Sequence, residues 1–274
     1  MLKAVREICI AGAVIETVIK GSKYQDVKQR APRQNATPAA VQRNNDRIAT
    51  RRLAAVMNNN FVPGDYHVTL TYAETVSRED AEKELTNYLR RMKREYKKNN
   101  KEMKYIAVTE YENHRIHHHI VMNYIDSMII DRQWKHGHVW LSSLDRSRNY
   151  TKLAEYLIKE TRKTFRDADN ATKRRFSSSK NLIKPITVRQ RISLCKLFQD
   201  PKAIKGYVID ETSIRRYESP ITGLTHLEYT MTSTEPVPRL NKWRTGEVVK
   251  RGESLMRFDN IRQMELNVDD WEVV

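Results

Sequence analysis

Cysteine is nearly absent from this chain. Cys9 and Cys195 are the only two, too few for a disulfide framework and without the paired spacing of a zinc ribbon, so a reducing compartment is expected. Glycine and proline are scarce as well, eight of each in 274 residues. That scarcity argues against a collagenous or low-complexity chain and against a turn-dense β sandwich. Long apolar stretches are missing too: the longest, Ile8 to Ile15, is eight residues between Glu7 and Glu16. A membrane-spanning helix needs about 20 such residues, and a signal peptide needs an uninterrupted apolar region with a cleavage site. A soluble, cytoplasmic protein with no membrane partner is the expectation. No phosphate-binding Walker loop is present, so a fused helicase of that type is excluded.

What the chain has in excess is positive charge. Fifty Lys and Arg against 34 Asp and Glu leave a formal charge of +16, which calls for a polyanionic partner. A membrane-surface role would need a basic amphipathic helix with an apolar side of Trp, Phe and Leu, and none is evident. Nucleic acid is the leading partner class. Hydrophobic residues make up 39% and aromatics 8%, low for a compact enzyme yet too rich in Ile, Leu, Val and Tyr for a disordered basic tail.

Hydrophobic patterning predicts an α+β chain. Residues 5–19 are rich in Ile and Val and read as one strand kinked at Gly12. Residues 21–36 lack apolar periodicity and read as a basic linker, and Thr37-Pro38 starts a helix running toward Asn58. From Tyr66 to Tyr72 the alternation puts Val68, Leu70 and Tyr72 on one face and His67, Thr69 and Thr71 on the other. Ser77 and Asp80 open a helix ending near Asn100. Strands at 103–112 and 117–124, a helix at 127–134, a strand at 139–144 and a helix at 149–165 follow. This β-α-β-β-α-β-α order matches a central antiparallel sheet of ferredoxin-like or RRM-like type, with helices packed on one face. The expected division is 1–61 (N-terminal strand, basic linker and helix), 62–187 (central domain) and 188–274 (C-terminal extension). That extension holds strand-like pieces at 206–210 and 224–231 and an acidic tail.

The sharpest chemical signal is the run His117-His118-His119. On a strand, His117 and His119 share a face and His118 points to the other. If 103–112 and 117–124 form a hairpin with a six-residue loop, Glu110 lies directly opposite His117. A carboxylate and two imidazoles leave open positions on an ion, as catalytic metal chemistry requires. His114, in the loop, and His118 are left out of this set. A second signal is Tyr156 with Lys159, three apart on one helix face; Tyr150 lies about 120° around that helix from Tyr156.

Taken in this order, Tyr66–Tyr72 (alternating hydrophobic and Thr), His117-x-His119 and Tyr156-x-x-Lys159 resemble the three motifs of the HUH endonucleases. More closely, they resemble the rolling-circle replication initiators of bacterial plasmids and phages. Asn59–His67, Trp134–Gly137 and Ser178–Pro185 look like further recurring features of that group, whereas His118 stands where a hydrophobic residue is customary. The resemblance implies an HUH fold and a metal-dependent, site-specific nicking and joining of single-stranded DNA. Tyr156 would be the nucleophile, Lys159 its cationic neighbour, and Glu110, His117 and His119 the ligands of a Mg²⁺ or Mn²⁺ ion. The product would be a 5′-phosphotyrosine and a free 3′-OH that primes replication.

No second tyrosine lies three, four or seven residues from Tyr156, so a single-tyrosine enzyme is expected. Thr69 and Thr71 of the first motif are candidate DNA contacts. So are Arg174, Arg175, Lys180 and Lys184, from a stretch (162–196) with eleven Lys and Arg against two Asp. The implied partners are single-stranded origin DNA, a separate host helicase, DNA polymerase and single-strand binding protein. Relaxases and transposases share this chemistry, and a noncatalytic DNA-binding regulator is the reading from a different class.

Overall fold

A computed structural model describes residues 3–22, 39–112, 115–161, 175–219, 223–234, 247–249 and 255–257. The chain divides into two compact units. One comprises residues 1–48 with 183–274, the other residues 49–182, so the cut falls inside α1 (Ala39–Asn60). Both are built on five-stranded antiparallel sheets, in keeping with the expected α+β class.

The first unit corrects the reading of both chain ends. β1 (Lys3–Ala11) and β2 (Val14–Ser22) form a tight hairpin, where one kinked strand was expected. The turn is possible because Gly12 adopts φ +60, a backbone state that residues with a Cβ resist. The residues after the central region do not form a separate extension. β8 (Ile186–Ser193) pairs with β1, and β10 (Thr225–Ser233) pairs with both β2 and β9 (Tyr207–Glu218). One face of this sheet carries a core of Ala4, Ile8, Ile15, Ile19, Leu227 and Met231. On the other face Arg47 of α1 lies over the Tyr217 ring and pairs with Glu228 at 3.3 Å. A short hairpin, β11 (Glu247–Val249) with β12 (Leu255–Arg257), completes the described strands.

In the second unit the strand order is β6-β3-β5-β4-β7. The strands are β3 (Tyr66–Thr71), β4 (Tyr105–Glu112), β5 (Arg115–Met122), β6 (Val139–Ser143) and β7 (Ser177–Ser178). Helix α2 (Arg78–Lys98) is capped by Ser77, whose hydroxyl accepts from the Asp80 amide. Its apolar stripe, Leu85, Tyr88, Met92 and Tyr96, recurs at three- and four-residue spacing and is buried. With Ile130 of α3 (Ser127–Gln133), it covers Val68, Leu70, Ala107, Ile120 and Met122 on one sheet face. The opposite face is covered by Leu53, Ala54 and Met57 of α1 and by Ala154, Leu157 and Ile158 of α4 (Thr151–Glu160), against Ile106, Val108 and Val121. The helices therefore pack on both faces, not on one. Each fully buried Leu, Ile, Met or Val in these layers contributes about 1.5–3 kcal/mol.

The segment from Trp134 to Gly137 fastens the far end of β3. The Trp134 indole donates to the Thr71 carbonyl at 2.8 Å, and the Ala73 amide donates to the His136 carbonyl at 2.8 Å. A methyl group at Gly137 would overlap the Thr71 carbonyl oxygen and sit 2.8 Å from the Ala73 nitrogen. Both are backbone atoms held by the sheet, so neither can yield cheaply. Gly137→Ala should destabilise this unit by about 3 kcal/mol, read as a lower urea midpoint.

Candidate active site

Strand register assembles the site. Glu110 of β4 is the direct partner of His117 on β5, and Thr71 of β3 is the partner of the same histidine. One row along, Thr69 pairs with His119 and His119 with Val108. All these side chains share the sheet face that α4 covers in part. The hairpin is tighter than the six-residue loop expected, because pairing continues through Tyr111↔Ile116 and Glu112↔Arg115. The Glu110↔His117 register is unaffected, since residues are added equally to both strands. His114 and Arg174 lie outside the described residues.

The carboxylate is the hub. Glu110 Oε2 lies 3.4 Å from His119 Nε2 and 3.7 Å from His117 Nδ1. On its other side the His119 ring places Nδ1 3.2 Å from the Thr69 hydroxyl. A neutral imidazole donating Nδ1–H to Thr69 turns the Nε2 lone pair toward Glu110, the arrangement a metal-binding histidine uses. Burial, reinforced by His117, lowers the pKa of His119 to about 4, so its ring is neutral at physiological pH. Among the described residues, no group of three or more His, Cys, Asp or Glu forms a ready-made metal site. The donors nonetheless suit one in chemistry: a carboxylate oxygen converges with two imidazole nitrogens, one of them held neutral and oriented from behind.

Helix α4 brings the phenol to this cluster. Tyr156 is 41% exposed, and its ring stands edge-on to His119 with centroids 5.4 Å apart. Burial, followed by the charges of Glu160 and Glu110, raises its pKa, so the hydroxyl keeps its proton at neutral pH. Tyr150 differs in every respect: it caps α4, is 3% exposed and sits in the core beneath the helix. Lys159 is exposed, and its charge acts on Glu160.

Two residues of this cluster escaped the sequence reading. Glu160 lies one turn beyond Tyr156 and hydrogen-bonds to Glu110; burial and that carboxyl contact raise its pKa. Its signal was a carboxylate four residues after the tyrosine, hence on the same helix face. His67 stacks on His119 with centroids 5.5 Å apart and meets Tyr156 edge-on at 6.3 Å. Its Nε2 is buried without a hydrogen-bond partner, and burial lowers its pKa to about 4. The alternation of β3 already placed His67 on the face of Thr69 and Thr71.

The expected DNA contacts are distributed differently. The Thr69 hydroxyl serves His119, and the Thr71 hydroxyl donates to the His138 carbonyl at 3.2 Å. Because Ala107 pairs with Ser177 in antiparallel register, Arg175 lies toward the Glu110 end of β4 and Lys180 toward the opposite end. Lys184 belongs to the other unit. The omission of His118 agrees with its position: it points to the other face, fully buried, between Tyr72 and Thr109 at 2.9 Å each.

Residues 65–165 match the family model described as Replication-associated protein ORF2, a family of rolling-circle replication initiators. The matched stretch runs from the residue before β3 to just beyond α4, and so contains every residue of the cluster. No curated protein and no solved structure matches the chain. No helix among the described residues is long and apolar enough to cross a membrane.

Proposed function

We propose that this protein starts rolling-circle replication by nicking single-stranded DNA at a specific site, using Tyr156 as nucleophile and a divalent ion held by Glu110, His117 and His119. The observation that carries the reading is the stacking of Tyr156 against His119, whose Nε2 faces the Glu110 carboxylate. Nucleophile and ligands are thereby within one phosphate group of each other. The ion, Mg²⁺ or Mn²⁺, would supply charge neutralisation at a nonbridging oxygen of the scissile phosphate.

In the reaction the Tyr156 oxygen bonds to phosphorus as the bond from phosphorus to the 3′ oxygen breaks. A 5′-phosphotyrosine and a free 3′-OH result. The phenol is protonated and therefore weakly nucleophilic. Glu160, one turn along the same helix, is placed to accept its proton. Lys159 offsets negative charge beside the reacting phosphate. Because the phosphotyrosine ester conserves the phosphodiester bond, the same site can rejoin the strand.

The test uses labelled single-stranded oligonucleotides tiled across the DNA that flanks the gene. One tile should give a protein adduct stable to denaturing electrophoresis in Mn²⁺, with the label mapping to Tyr156 by mass spectrometry. Chelation with EDTA should lower adduct formation at least about a hundredfold, the scale on which loss of electrostatic stabilisation acts. DNA binding without an adduct from any tile, in either Mn²⁺ or Mg²⁺, would favour the noncatalytic regulator and sink the nicking proposal.

A further inference from the structure

We infer that Trp140 is a stacking platform for a nucleobase of the single-stranded substrate, next to the reacting phosphate. This rests on the single-stranded DNA reading above and adds to it a contact outside the motifs.

Trp140 is on β6, the edge strand of the site sheet, directly opposite Thr69. Direct partners on antiparallel strands project from the same face, so Trp140, Thr69 and His119 form one row across three strands. At one end of that row is a candidate metal ligand and at the other an indole that is 68% exposed. The neighbouring positions of β6 on this face, His138 and Ser142, are exposed as well. The helical cover stops short of them: the core under α1 and α4 takes Ile106 and Val108 from β4 and Val121 from β5, and nothing from β3 or β6 among the described residues. Half of the face is thus closed over the hydrophobic layer. The other half lies open beside Tyr156 as a strip of hydroxyls and imidazoles with one large flat ring.

A strand of DNA held with its phosphate at Glu110, His117 and His119 must continue in some direction, and this strip leads from the cluster to the sheet edge. An exposed indole gains little from water and much from a base, whatever the base's identity, since every base has a π face. The chain's charge of +16 selects a polyanion as the occupant over an apolar partner.

The experiment measures binding of a fluorescein-labelled oligothymidylate to the full chain by anisotropy, in EDTA so that no strand is cut. Trp140→Ala should weaken binding on the order of tenfold to a hundredfold, while Trp140→Phe keeps most of the affinity. The log–log salt slope should be unchanged, because stacking releases no counterions. Equal affinity for Trp140→Ala and wild type overturns the inference, as does an equal loss in Trp140→Phe. A Trp140→Ala effect on sedimentation instead of DNA affinity would assign the ring to a contact between copies, and also overturns it. The two readings fail separately: a missing adduct with a Trp140 effect on binding sinks the nicking chemistry alone, and an adduct with no Trp140 effect sinks the platform alone.

Discussion

Tyr156→Phe should abolish the covalent adduct, a loss of at least about 10³-fold, while single-stranded DNA affinity stays that of the wild type. The expected size follows from the role: removing a nucleophile deletes the bond-forming atom and leaves only binding and electrostatic stabilisation. The phenylalanine ring can keep the edge-on contacts with His119 and His67, at 5.4 and 6.3 Å between centroids, so the cluster is not dismantled by the change. Tyr150→Phe is the internal control. Its ring is buried beneath α4, out of reach of a substrate, and the variant should form adduct at close to the wild-type rate. If Tyr156→Phe still forms adduct and Tyr150→Phe does not, the nucleophile has been misplaced by two helical turns and the core around Tyr150 must open to admit DNA.

Local patterns carried most of the site. Strand alternation is a property of a few adjacent residues, so the common face of His117 and His119 could be read directly, and the hairpin added Glu110 by register. The same logic held His67, on the face of Thr69 and Thr71, yet alternation gives only a direction and cannot report that its ring stacks on His119 at 5.5 Å. Glu160 escaped because its partner, Glu110, is fifty residues away in the sequence and meets it only when α4 docks on the sheet. The first unit shows the same limit on a larger scale. β2 pairs with β10, and β1 with β8, across more than 170 residues, and nothing in either segment names its partner. The two-sided helical cover was equally hidden. Apolar residues on both faces of β4, Ala107 on one and Ile106 and Val108 on the other, signal burial but not which helix supplies it.

His118 should make the fold sensitive to acid. It is fully buried, its two ring nitrogens lie 2.9 Å from the Tyr72 and Thr109 hydroxyls, and burial lowers its pKa to about 3. In the unfolded chain the ring titrates near the ordinary value of about 6.5. Below that pH the unfolded state binds a proton that the folded state refuses, so unfolding takes up protons and stability falls as pH falls. The contribution is fully present above about pH 6.5 and is lost progressively toward the folded pKa of about 3, at about 1.4 kcal/mol per pH unit. His118→Leu removes this titration and leaves the two hydroxyls without their partner, a cost of about 1–3 kcal/mol at neutral pH. Urea unfolding in EDTA should therefore show the variant weaker than wild type at pH 7, with the gap narrowing by about 2 kcal/mol at pH 5. His67 and His119, also held neutral by burial, titrate in both proteins and cancel in the comparison. Parallel pH profiles would mean that the folded protein accommodates a charged ring at this position, and the neutral, doubly hydrogen-bonded His118 would then be the wrong description of the core.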